Sequence, residues 1–233
     1  MPDKTAEASV SAVGDLVDSR PAERPRRVTI EGRIVTVRPI EPEIDAPELY
    51  SASHGAEAEQ LWRYLAEGPF ANCASFEEKL VQKAHSSDPM YFAIVDRASG
   101  RAVGHASYLR IDPGNRVIEV GGLLFTPGLQ KTAGATEAMY LMARHGFEDL
   151  RYRRYEWKCH ALNEPSRKAA LRLGFTFEGV FRQHMIVKGR NRDTAWFAML
   201  NSEWPARKAA FERWLDPSNF DSAGRQKTRL QSA

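Results

Sequence analysis

Gln130-Lys131-Thr132-Ala133-Gly134-Ala135 is a turn of polar and small residues opening a helical segment. The first N–H groups of a helix have no intrahelical partner and sit at the positive end of its dipole, and small side chains let an anion approach them closely. That chemistry suits the phosphates of a nucleotide-containing ligand. Asn163 and Ser166 stand three residues apart at the start of a second helical segment, a pattern whose first use is capping the helix. His184 lies in a later strand-like run, and histidine's ordinary pKa of about 6.5 suits proton removal near neutrality. Cys73 and Cys159 form no CxxC pair and join no His/Cys spacing of a metal site, so they read as reduced thiols and no metal is expected.

These residues need elements to hold them. Val117-Ile118-Glu119-Val120-Gly121-Gly122-Leu123-Leu124-Phe125 reads as a strand ending at Thr126-Pro127, and the helix predicted over 133–150 puts Ala138, Leu141, Met142 and Phe147 near one face. Upstream, 34–39 alternates as a short strand, 46–53 and 57–66 have helical spacing, and 91–96 and 102–111 form a hairpin around a polar turn. Downstream come a strand at 155–161, the Ser166 helix closed by Gly174, two antiparallel strands around Gly189, and a terminal helix over 204–214. Residues 1–28 have too little apolar content to build a core and read as a mobile, disordered arm. Residues 29–216 read as one domain, and 217–233 as a polar tail expected to be disordered.

The loop at 130–135, taken with Asn163-Glu164-Pro165-Ser166-Arg167-Lys168-Ala169-Ala170-Leu171-Arg172-Leu173-Gly174-Phe175-Thr176-Phe177-Glu178-Gly179, resembles the GNAT superfamily of acyl-CoA-dependent N-acetyltransferases, whose pyrophosphate loop reads Q/R-x-x-G-x-G/A. Gly189-Arg190-Asn191-Arg192-Asp193 is most similar to the branch containing the ribosomal-protein alanine acetyltransferases, and the resemblance runs roughly from residue 33 to 204. It departs where Ala133 and Ala135 occupy the two glycine-type positions, the first of which alanine tightens. The resemblance implies an α/β fold, with a central mixed, mostly antiparallel sheet and helices on both faces. It implies acetyl-CoA as cosubstrate and an amine as acceptor. N–H groups of Gln130, Lys131, Thr132, Ala133, Gly134 and Ala135 would then hold the pyrophosphate, with Lys131 and Arg167 placed to meet its phosphates. The backbone of Leu123 and Phe125 and the Asn163 amide would hold the pantetheine arm, and Ser166 would offer its proton to the sulfur.

Acetylating an amine requires a base, an oxyanion donor and an acid. Glu119 stands eleven residues before Gln130, the spacing at which many members of the superfamily place their base, and His184 is its competitor. The oxyanion donor is expected from a backbone N–H where the 123–125 strand splays from its neighbour, with Gly121 and Gly122 permitting close approach. Cys159 is the alternative, a covalent route. Trp62, Tyr64 and the Gly68-Pro69-Phe70 turn belong to the early helices that line the acceptor side in such enzymes.

Composition agrees with an enzyme domain. The chain has 233 residues, 42% hydrophobic and 27% charged, enough for a full core. A net charge of +3, from 33 basic against 30 acidic residues, does not point to nucleic acid. No apolar run approaches the roughly 20 residues that span a bilayer, and the first residues do not read as a signal, so a cytoplasmic protein is expected. The acceptor reads as a peptide N-terminus or a small amine, a homodimer is left open, and the alternative function is a non-catalytic CoA-binding or interaction module.

Overall fold

Alternation along β5 (Val117–Phe125) sends Ile118 and Val120 into the main core and Glu119 to the opposite face of the sheet. The computed structural model describes residues 14–55 and 58–230, and in it β5 lies near the middle of an eight-stranded sheet of order β1-β2-β3-β4-β5-β6-β8-β7. The other strands are β1 (Ile30–Glu31), β2 (Val35–Pro39), β3 (Met90–Asp96), β4 (Ala102–Asp112), β6 (Arg154–His160), β7 (Thr176–Val187) and β8 (Arg190–Leu200). The β5–β6 pair is parallel and every other pair is antiparallel. A parallel pair needs a crossover, supplied here by α4 (Ala133–Arg144), so the mixed α/β sheet expected from the sequence is the one observed.

Helices cover both faces. On one, α4, α5 (Glu164–Arg172) and α6 (Trp204–Leu215) bury Leu141, Met142, Ala170, Phe211 and Trp214 with Ile118, Val120, Tyr155, Trp157 and Phe197 of the sheet. On the other, α1 (Pro42–Ser53), α2 (Ala58–Trp62) and α3 (Cys73–His85) bury Leu49, Trp62, Phe76 and Leu80 against Ala93, Ala102 and Leu124. Each such aromatic or Leu burial contributes about 1.5–3 kcal/mol.

Local chemistry explains the ends of these elements. Thr132 caps α4 by accepting from the Ala135 N–H, Asn163 caps α5 by accepting from the Ser166 N–H, and Asn72 and Ser75 form a reciprocal capping box on α3. Lys188 and Gly189 both take positive φ, the two-residue turn that a tight hairpin between β7 and β8 requires. The helix predicted over 133–150 stops at Arg144 and widens into a π turn at His145–Asp149. The α3 helix is unanticipated, because the buried stripe Phe76, Leu80, Lys83 carries a lysine where periodicity looks for an apolar residue.

The two chain ends differ from the expectation in their described parts. Residues 1–13 lie outside the described residues. Residues 14–28 form no helix or strand, yet Ala22 is buried and donates its N–H to the Pro113 carbonyl, and Arg116 grips Asp18. Past α6, Leu230 is buried, the Trp214 indole donates to Gln226, and Asn219 bonds Trp214 and Thr228, so 217–230 folds back on the body. Composition hid this because a few apolar and amide side chains among many polar ones make the contacts.

Candidate functional site

The site begins where two strands part. β5 and β6 are in register from Val117↔Arg154 to Val120↔Trp157, and there the pairing stops although β5 runs on to Phe125 and β6 to His160. Backbone groups of 121–125 on that side are thereby released from a ladder. On the other side β5 is irregular as well: its register with β4 shifts between His105 and Ser107, opposite a bulge in which Gly122 takes φ 57°. A Cβ there would come within 2.9 Å of the Ser107 hydroxyl and 3.0 Å of the Tyr91 ring, so both conformation and space call for glycine. Ser107 Oγ donates to the Gly121 carbonyl at 2.9 Å.

On the face away from α4 the mouth of this gap is ionic. Glu119 is buried, with Lys158 Nζ 3.0 Å and Arg110 Nε 3.7 Å from its carboxylate. Lys158 also donates to Glu156 at 2.6 Å and lies over the Trp196 ring, 3.6 Å from its centroid. Burial pushes the Glu119 carboxyl above the ordinary carboxylate range, and the Lys158 and Arg110 cations pull it back. His184 belongs to the same neighbourhood: its ring stands 5.8 Å from Trp196, Nδ1 meets Thr194 Oγ1 at 3.0 Å, and partial burial with the Arg110, Arg192 and Lys158 charges lowers its pKa. Glu119 Oε2, Arg192 Nε and Trp196 Nε1 are buried without a hydrogen bond of full geometry, so polar capacity for a ligand remains here. The early helices close on this face. Tyr64 Oη donates to the Leu162 carbonyl beside the His160 ring, and Lys188 at the hairpin tip donates to the carbonyls of Trp62 and Gly68.

On the α4 face stands Ser166. Its Oγ accepts from Trp157 Nε1 at 3.1 Å, leaving its own proton to donate, and it is in hydrogen-bonding reach of the Cys159 thiol. The capping pattern resolves into two roles, Asn163 as the cap and Ser166 as a hydroxyl turned toward β6. Burial pushes the Cys159 thiol up, the opposite of what an attacking cysteine needs. Arg167 turns inward, donating to the Ala161 carbonyl at 3.4 Å and lying over Phe177. The guanidinium of α5 that touches α4's first turn is Arg172, bonded to Thr136 Oγ1 at 3.1 Å.

At the start of α4, Lys131 takes φ 60° and is exposed, and Ala133 and Gly134 are the first two helical residues. Their N–H groups precede the first intrahelical bond. Gly134 is buried, and a Cβ on it would come within 3.0 Å of Val35, so its bareness serves packing against β2 as well as any anion. The Gln130 amide folds back to donate to the Phe125 carbonyl at 2.9 Å, which occupies one of the backbone groups expected to face a ligand. Four residues of this neighbourhood escaped the sequence reading: His105, Lys158, Arg172 and Glu137. For Lys158 a signal was present, since Glu156, Lys158 and His160 alternate with Tyr155, Trp157 and Cys159 along β6 and share one face.

The sequence and the fold that carry this arrangement are similar to those of known proteins. The model of the acetyltransferase (GNAT) domain matches residues 35–176. The crystal structure of a GCN5-related N-acetyltransferase from Brucella melitensis superposes with a TM-score of 0.89 at 50% identity, over 91% of this chain and 96% of that one. A GNAT-family protein from Chromobacterium violaceum gives 0.77 at 33% identity, over 88% of this chain and 100% of that one. YdaF of Bacillus subtilis, provisionally named a ribosomal N-acetyltransferase, is 25% identical over 177 residues, 75% of this chain and 95% of its own length. With the domain match spanning more than half of its length, this chain belongs to the GNAT family of acetyl-CoA-dependent N-acetyltransferases.

Proposed function

We propose that the enzyme transfers acetyl from acetyl-CoA directly to a primary amine, a peptide N-terminus or a small amine, in the gap between β5 and β6. The observation that carries this reading is the end of pairing after Val120 and Trp157, with Glu119 on one face of the opening and Ser166 on the other. Acetyl-CoA supplies the acyl group as a thioester. The residues present fit it: helix-start N–H groups at Ala133 and Gly134 beside Lys131 for the pyrophosphate, and strand backbone at 121–125 for the pantetheine arm.

Glu119 takes a proton from the acceptor ammonium, which frees the nitrogen lone pair to form the new C–N bond. The Leu123 N–H donates to the carbonyl oxygen as charge builds on it. As the C–S bond breaks, the Ser166 hydroxyl, held at its oxygen by Trp157, gives its proton to the departing sulfur and regains one from the second proton that the nitrogen sheds as the amide forms. His184, tied to Thr194, serves as an alternative base on the same face. The likeness to YdaF, provisionally named a ribosomal N-acetyltransferase, supports an amine of a ribosomal component as acceptor.

A thiol-release screen over N-terminal peptides, including ribosomal-protein N-termini, and over small amines tests the reading, together with titration of CoA into wild type and Lys131→Glu. Turnover with one acceptor class, and affinity for CoA weakened about tenfold by the reversed charge, or about 1.4 kcal/mol, is the expected result. CoA binding with no thiol release across the panel would oppose direct transfer to these amines, and unchanged affinity would remove the α4 start from the phosphate site.

A further inference from the structure

Beneath the Gly122 bulge, on the side away from the gap, lies a buried polar group that the transfer chemistry does not use. His105 of β4 and Lys83 of α3 are both almost fully buried, with Nζ 3.0 Å from the ring's Nε2. Lys83 is ion-paired with Glu67 and stands over the Tyr91 ring, 4.9 Å from its centroid, and Tyr91 meets His105 edge-on. Burial lowers the Lys83 pKa and the Glu67 carboxylate works against that; as the ammonium of this ion pair Lys83 has only protons to offer, so Nε2 is the acceptor and the ring's own proton sits on Nδ1. Two cations side by side in this interior are excluded by the same logic, and burial together with Lys83 holds the His105 pKa well below its ordinary value. Backbone groups of Gly122 and of His105 itself lie near the ring, and Nδ1 is buried with no hydrogen bond of full geometry to satisfy it. A backbone group that favours the protonated ring is an acceptor, which at Gly122 is the carbonyl.

A trans peptide is planar, with its C=O and the following N–H pointing in opposite directions. Drawing the Gly122 carbonyl toward β4 therefore aims the Leu123 N–H away from β4, toward the side that β6 has left open. We infer that Lys83 and His105 form a positioning pair: Lys83 fixes the ring tautomer, His105 holds the Gly122 carbonyl, and the Leu123 N–H is thereby preset against the thioester oxygen. This inference rests on the proposed site for acetyl transfer and adds two positioning residues to it.

Two isosteric variants separate the ring's nitrogens. Asparagine puts an amide donor near the Nδ1 position, and glutamine puts an amide near Nε2. The readouts are the infrared carbonyl band of bound, carbonyl-labelled acetyl-CoA, turnover by thiol release, KM for acetyl-CoA, and the melting temperature of each protein without ligand. The wild-type band should be shifted down from its value in water. His105→Asn should keep that shift and most of the turnover. His105→Gln should lose the shift and about tenfold or more of kcat, with KM for acetyl-CoA little changed. Equal retention of the shift in both variants would overturn the proposal, as would equal loss of turnover that follows only the loss of melting temperature. Should either variant fail to fold, the nitrogen resonances of His105 in the wild-type protein decide the matter: a proton on Nδ1 with bare Nε2 supports the pair, and the reverse tautomer refutes it. A wild-type protein that does not bind acetyl-CoA in a prior titration would overturn the site itself and this inference with it.

Discussion

Glu119, the proposed base, shares a buried charge pair with Lys158 that would set the pH range in which it works. Glu119 is pushed toward its neutral form by burial and toward its charged form by Lys158. If it is the base, Glu119→Gln should lower turnover by about 10²- to 10⁴-fold with CoA affinity nearly intact, and a small loss would move the role to His184. Removing the cation in Lys158→Met should raise the Glu119 pKa further and move the acidic limb of the rate profile to higher pH; an unmoved limb would detach Glu119 from the rate. The same raised pKa bears on stability with a definite sign. The folded state holds this proton more tightly than the unfolded chain, so the group's contribution is full below the unfolded carboxylate value and declines as pH rises through the raised folded value. On the other side of the sheet, Ser166→Ala removes the acceptor of the Trp157 indole, at about 0.5–1.5 kcal/mol of stability. If the hydroxyl protonates sulfur, turnover per folded molecule should fall well beyond that loss. A lower melting temperature with full activity would leave Ser166 a purely structural role.

At the scale of elements, the α4 start is held in place by a residue that makes no approach to the gap. Glu137, in the second turn of α4, is buried and accepts the backbone N–H groups of Arg33 at 3.0 Å, Ile34 at 2.6 Å and Val35 at 2.8 Å. One carboxylate thus bonds the turn between β1 and β2 to the helix whose first N–H groups are proposed to hold the pyrophosphate. Glu137→Ala would strand three N–H groups at once, each worth about 1–3 kcal/mol when left unsatisfied and buried, and should lower the melting temperature sharply. Urea or thermal unfolding measures this, and a loss under 1 kcal/mol would mean that water replaces the carboxylate there. The same packing explains why Gly134 is a poor place to probe the ligand. A side chain added there meets Val35 first, so a lost affinity would report a displaced helix.

For the whole molecule, binding in the proposed gap would be linked to stability, because the gap exists only while β5 and β6 sit in one sheet. Acetyl-CoA binding to the folded state alone should raise stability by about 2.7 kcal/mol at a hundredfold excess over Kd. A melting curve at rising CoA concentrations measures this, and a flat response would show that the folded sheet does not bind CoA. Two halves of one sheet face contribute differently to this arrangement. Over β3 and β4 the face is sealed by α1 and α3, while toward β6 and β8 it carries Glu156, Lys158 and Thr194. No helix among the described residues is long and apolar enough to cross a membrane.

Legibility in the sequence followed the range of the interactions. Local chemistry determined much by itself: the β5 run, the capped start of α4, Asn163 before α5 and the turn at Gly189 are all decided by neighbours a few residues apart, and each stands where its residue types place it. The mixed sheet and the family likeness were legible for the same reason, since they reside in the order and ends of elements. Only the tertiary structure decided which charges meet. Lys158 reaches Glu119 because β6 returns parallel to β5, and Lys83 reaches His105 because α3 packs on that face, across 22 residues of chain. Lys83 even obscured its helix, because a lysine in a buried stripe reads as a break in apolar period until its carboxylate and imidazole partners are known. The parting of β5 from β6 also lay beyond the sequence. Hydrophobic alternation records which way side chains face, whereas the loss of a backbone ladder depends on the twist and bulging of two strands brought together from distant parts of the chain.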